Sequence, residues 1–87
     1  MATKVRPPNK TLWALDEAIE HDTDAAELLE QLLTQLEREQ EEAKRRFDKA
    51  GQVRLAGAFV TLARLQAHQA RVASLHRQAR NNEYDRR

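Results

Sequence analysis

Cysteine is absent from the 87 residues, which excludes disulfides and thiolate metal sites and leaves the core of so short a chain without covalent support. Glycine and proline occur only twice each, a composition that suits long helices far better than strands separated by tight turns, and no β signal is legible. Aromatics amount to 5%, and Phe59 of the second half falls on an apolar face rather than among the basic side chains, where it could stack on bases. No apolar run approaches the roughly 18 residues of a membrane span, and the amino terminus lacks the apolar core of a secretory signal. A soluble, cytoplasmic chain of one domain is expected. Glycine-rich phosphate loops and cysteine nucleophiles are missing, and Ser74 has no base or oxyanion donor at a fixed spacing, so neither an enzyme nor a cofactor is expected.

What is present is helical periodicity. Ala26, Leu29, Leu33, Leu36, Gln40, Ala43, Phe47 and Ala50 alternate by three and four, which places them on one helical face. A second arm repeats the spacing with Leu55, Phe59, Leu62, Gln66, Gln69, Ala73 and His76. Its flanks are apolar too, with Ala58, Leu65 and Val72 on one edge and Ala56, Ala63 and Ala70 on the other. The non-polar arc spans roughly half the circumference, more than one partner helix covers. One uninterrupted helix would put Arg54, Gly57, Thr61 and Arg64 at successive seam positions, so the chain must reverse, and Gly51 is the expected left-handed cap. The predicted fold is all-α: a short amino-terminal helix followed by a long antiparallel hairpin, pairing into a four-helix-bundle-type oligomer. Leu29, Leu33, Leu36, Phe47, Leu55, Phe59, Leu62, Leu65 and Val72 are its expected self-association residues.

Charge is segregated. Residues 11 to 43 carry eleven acids against Arg38, and residues 44 to 82 carry nine basic side chains against Asp48. Folding the acidic arm on the basic one is self-complementary, and a reversal at Gly51 would bring Glu30, Glu37 and Asp24 to Arg71, Arg64 and Arg77. Exposed pairs contribute only about 0.2 to 1 kcal/mol each, so they select the arrangement rather than hold it.

The organisation along the chain is a flexible basic arm at 1–10, a hairpin domain at 11–82 and a short tail at 83–87. Pro7-Pro8 opposes helix up to that point, and Thr11 or Asn9 can cap the first helix. His21-Asp22-Thr23-Asp24 competes for backbone hydrogen bonds and predicts a break, with Asp24 and Glu27 at capping-box spacing. The alternative is one long helix, since Leu12, Leu15, Ile19, Asp22 and Ala26 keep the three-four spacing, and Asp22 then occupies a seam position. The second arm is expected to end near Asn81-Asn82.

Several side chains are candidates for function. Glu17, Glu20, His21 and Asp24 would line one face of a continuous helix, but the Glu three residues before His that di-iron bundles use is replaced by Ala18, so no metal site is expected. Leu12, Trp13, Leu15 and Ile19 could dock a protein partner, although Trp13 is more readily read as packing over the bundle end. Gln40, Gln66 and Gln69 are either rim residues or register-fixing pairs. Residues 52 to 82 contain no acid, and Arg64, Arg71, Arg77 and Arg80 make nucleic-acid contact the rival to protein assembly. No motif selects a family: the Trp-x-Gly turn of small secreted type VII hairpins is missing, with Lys49-Ala50-Gly51 at the bend and Trp13 elsewhere.

Overall fold

The computed structural model describes residues 9–85. They form two long helices, α1 (Lys10–Arg45) and α2 (Lys49–Asp85), packed against each other as an antiparallel hairpin. Each is roughly 55 Å long at 1.5 Å per residue. Most of the expected basic arm, and Arg86 and Arg87 of the tail, lie outside the described residues. Asn9 and Lys10 belong instead to the cap and first turn of α1.

Asn9 caps α1 through its side chain, which accepts from the Leu12 backbone N–H at 3.1 Å. Its Nδ2 donates to Glu83 Oε1 at 3.1 Å and closes the open end of the hairpin. The short separate amino-terminal helix is not formed. α1 runs through His21–Asp24 because Leu12, Leu15, Ile19 and Asp22 lie in register with the leucines that follow. The local competitors are disarmed within the helix. Thr23 Oγ1 donates to the Ile19 carbonyl one turn back at 3.2 Å, and the Asp22 carboxylate is taken up by α2. α2 continues past Asn81-Asn82 to Asp85, so those asparagines do not end it.

The reversal sits four residues earlier than Gly51. The Asp48 N–H donates to the Ala43 carbonyl at 2.9 Å and the Phe47 N–H to the Lys44 carbonyl at 3.2 Å, the bond pattern of a Schellman cap. Its left-handed position is filled by Phe47, at φ 55°, where glycine is the usual residue. Phe47 is therefore not a seam residue; its side chain is 87% exposed at the tip. Gly51 has ordinary helical φ and is buried in the first turn of α2, where its N–H donates to Asp48 Oδ1 at 2.9 Å. A Cβ there would overlap the Asp48 carboxylate, so glycine at 51 is what lets Asp48 cap α2.

Two stability predictions follow from this turn. Phe47→Gly removes a left-handed penalty of about 1 kcal/mol without losing buried surface, so thermal denaturation should show a higher Tm. Asp48→Ala removes the cap and should lower stability by about 0.5 to 2 kcal/mol.

Moving the turn changes the register. Cross-helix bonds are disposed about Phe47: Asn9 with Glu83, Asp16 with Arg80, and Asp22 between Gln69 and His76. The pairs expected from a Gly51 reversal, Glu30 with Arg71, Glu37 with Arg64 and Asp24 with Arg77, do not form among the described residues.

The core is a single seam. Among the described residues, Leu12, Ala43 and Leu62 are its buried apolar side chains, and no large side chain is fully enclosed. Leu15, Ile19, Leu29, Leu33 and Leu36 of α1, with Leu55, Phe59, Gln66, Gln69, Ala73 and His76 of α2, are half-buried along it.

Candidate interaction site

The polar centre of the seam is Asp22. It is 9% exposed, and its two carboxylate oxygens are shared between residues one helical heptad apart on α2. Gln69 Nε2 donates to Oδ1 at 2.7 Å, and His76 Nδ1 stands 2.6 Å from Oδ2. An ionised carboxylate only accepts, so His76 carries its proton on Nδ1 in this contact. The hydrogen bond from His76 holds the Asp22 carboxyl below its usual value of 3.8. Desolvation opposes that shift, and the Gln69 bond with the charges of His76 and Arg77 reinforces it. Of the three seam glutamines, Gln69 is thus a bonded partner across the helices.

The register gives this arrangement its meaning. In the observed pairing Asp22 lies between two donors. If the helices slid by one heptad to put the turn at Gly51, it would lie between His76 and Glu83, with one donor exchanged for a like charge. Slid the other way, it would face Leu62 and Gln69. Only the observed register gives both oxygens a partner, as a single buried polar residue does in specifying coiled-coil alignment.

Farther along, Arg80 Nε stands 2.7 Å from Asp16 Oδ1, an ion pair whose N–H does not point along the contact, and its guanidinium lies over the Tyr84 ring at 5.4 Å. Arg80, a candidate nucleic-acid contact, is half-buried and engaged within the chain. The four arginine candidates do not form one edge. Arg64 and Arg71 stand exposed two turns apart on the outside of α2 without an acidic partner among the described residues, whereas Arg77 faces the groove beside Asp22.

The docking candidates separate in the same way. Leu12 is buried and Leu15 and Ile19 are half-buried in the seam, leaving Trp13 exposed at 63%. Of the expected self-association residues, Leu29, Leu33, Leu36, Leu55, Phe59 and Leu62 line the seam within the chain, and Val72 is half-buried at its edge. Leu65 remains 49% exposed. Glu17 and His21 stand 3.7 Å apart on the exposed side of α1. Among the described residues, no three acidic or histidine side chains are placed to hold a metal ion.

The two sides of the hairpin differ. A shallow groove beside the turn is lined by Glu39, Glu42, Arg46, Gly51 and Arg54. Seven-residue steps along α1 lead from Glu39 to Leu32 and Ala25 and from Glu42 through Gln35 to Leu28; along α2 they lead from Gly51 through Ala58 to Leu65 and Val72 and from Arg54 through Thr61 and His68 to Leu75. This side thus turns from charged at the tip to leucine-rich at mid-length. Leu28, Leu32, Leu65 and Leu75 are exposed there. On the opposite side, marked by Thr23 and Arg77, the same steps lead to Glu30 and Glu37 on α1 and to Ala70, Ala63 and Ala56 on α2. Periodicity revealed the broad apolar arc of α2, but not that Leu28 and Leu32 share a side with Leu65 and Leu75, which depends on the hand and register of the pairing.

Among the described residues, no helix is long and apolar enough to cross a membrane. Compared with protein-family models, curated proteins and solved structures, the chain matches none.

Proposed function

We propose that the protein is a non-enzymatic, cytoplasmic interaction and assembly module, of the small adaptor, chaperone or inhibitor type, that completes its core by associating with a second copy and offers the remaining apolar surface to a protein partner. The observation that carries this reading is the contrast between a one-layer seam and the large side chains outside it: Trp13, Leu28, Leu32, Val53, Val60, Leu65 and Leu75 are each about half exposed or more. Scattered exposed leucines are ordinary, but here they outnumber the buried ones in a chain with little core to lose. Light scattering after size exclusion tests it: a dimer or larger species is the expected result, and a well-folded monomer at micromolar concentration would sink the reading.

Nucleic-acid binding is the second reading, favoured by Arg64 and Arg71, two exposed cations on one line of α2. If it holds, affinity for a random duplex must fall steeply with salt, and the double variant Arg64→Ala, Arg71→Ala should reduce the salt slope by about two phosphate contacts. No binding at low salt would eliminate it.

A further inference from the structure

We infer that the leucine side of the hairpin is the self-association surface, and that it pairs with a second copy about a twofold axis parallel to the helices, so that α1 of each copy covers α2 of the other. This inference rests on the self-association reading and adds to it the face, the symmetry and the pairing of helices. The face is set by Ala25, Leu28 and Leu32 of α1 with Leu65, Val72 and Leu75 of α2, the mid-length stretch where apolar side chains from both helices share one side. Leu32 and Leu65 lie 15 and 18 residues from Phe47 and therefore within one helical turn of the same height in the hairpin.

Two face-to-face arrangements preserve twofold symmetry. With the axis across the helices, α1 meets α1 and α2 meets α2, which sets the acidic arm against its own copy and the basic arm against its own. With the axis along the helices, each acidic α1 lies against a basic α2, and heights are preserved, so Leu32 and Leu65 of both copies fall in one four-leucine layer. Segregated charge decides between them: like-charge juxtaposition opposes the first and complementarity favours the second. The rim shows the same preference. Asp24 lies one turn before Leu28, and Arg71 one turn before Leu75, so each borders the face. Both are exposed, and among the described residues neither makes an ion pair within one copy. They are also at matching heights, so Asp24 of one copy meets the partner's Arg71 twice in the dimer.

The test measures the dimer dissociation constant by sedimentation equilibrium of the full chain. Leu65→Asp should weaken the dimer roughly a hundredfold or more, whereas Val60→Asp, on the outside of α2, should leave it unchanged. Because Leu65→Asp can also unfold a thin bundle, rim reversals provide an independent reading. Asp24→Arg and Arg71→Asp should each weaken self-association about tenfold at low salt, and less at high salt. The double reversal, or an equimolar mixture of the two single variants, should restore it. If neither single reversal weakens the dimer, the helix-over-helix arrangement is overturned. If Val60→Asp dissociates it and Leu65→Asp does not, the face is wrong while the assembly reading stands. A folded wild-type monomer would overturn both.

Discussion

Leu62→Asp is expected to abolish the folded hairpin, read as loss of far-ultraviolet helical signal at micromolar protein. Leu62 is 5% exposed and is the most enclosed side chain of the middle of α2. The disposition of bonds about Phe47 sets it across from Leu29 and Leu33, where no cationic side chain of either helix turns inward. A carboxylate there loses its hydration without gaining a donor, a cost of several kcal/mol, on the order of 3 to 5. Small domains hold only about 5 to 15 kcal/mol in total, and a one-layer seam belongs at the low end. The control is Val60→Asp, likewise a carboxylate in place of an apolar group, at a side chain 54% exposed on the outside of α2. It should retain the helical signal, since its carboxylate stays in water. Equal loss in both variants would mean that Leu62 is no more central than an exposed side chain.

The second large effect concerns Asp22, and it is one of alignment. Asp22→Leu replaces a buried carboxylate by an apolar group and need not lower stability, because removing a buried polar contact often leaves a bundle as stable as before. It does remove what distinguishes the Phe47 turn from a turn at Gly51, since the three-four spacing of both helices is preserved by a one-heptad slide. Spin labels at Glu30 and Arg64 should therefore report one short distance in the wild type. In Asp22→Leu a second population should appear, with the helices displaced by about 10 Å, seven residues of helical rise. A single unchanged distance would assign the register to the turn instead.

Acid gives a second readout of the same group. Asp22 has a folded pKa below its unfolded value, so its contribution to stability is fully present above that unfolded value, near 3.8, and is lost as pH falls through the lower folded one. The difference in Tm between wild type and Asp22→Asn should accordingly shrink as the solution is acidified below pH 3.8. A difference that persists to the lowest pH would mean that the ionised carboxylate is not what the seam uses.

The sequence by itself determined the helices, the reversal and the segregation of charge, because apolar spacing and composition act locally along each arm. Leu55, Phe59, Leu62, Gln69 and His76 lie along the face their spacing implied, and the alternative of one continuous α1 with Asp22 in the seam is the form observed. The break expected at His21–Asp24 does not form because polar side chains compete with the backbone only when nothing else bonds them; Thr23 bonds within its helix and Asp22 bonds across to α2. Gly51 is not the left-handed cap for a related reason. Glycine favours left-handed geometry, but Phe47 can adopt it at a cost of about 1 kcal/mol, less than the mispairing that another turn would impose on Asp22 and Glu83. Tertiary structure alone decided the register, drew Arg80 into the seam beside Asp16, and gathered Leu28, Leu32, Leu65 and Leu75 on one side. A heptad pattern looks the same after a slide of seven residues, so only contacts between residues distant in the chain, with Asp22 between Gln69 and His76, can distinguish one alignment from the next.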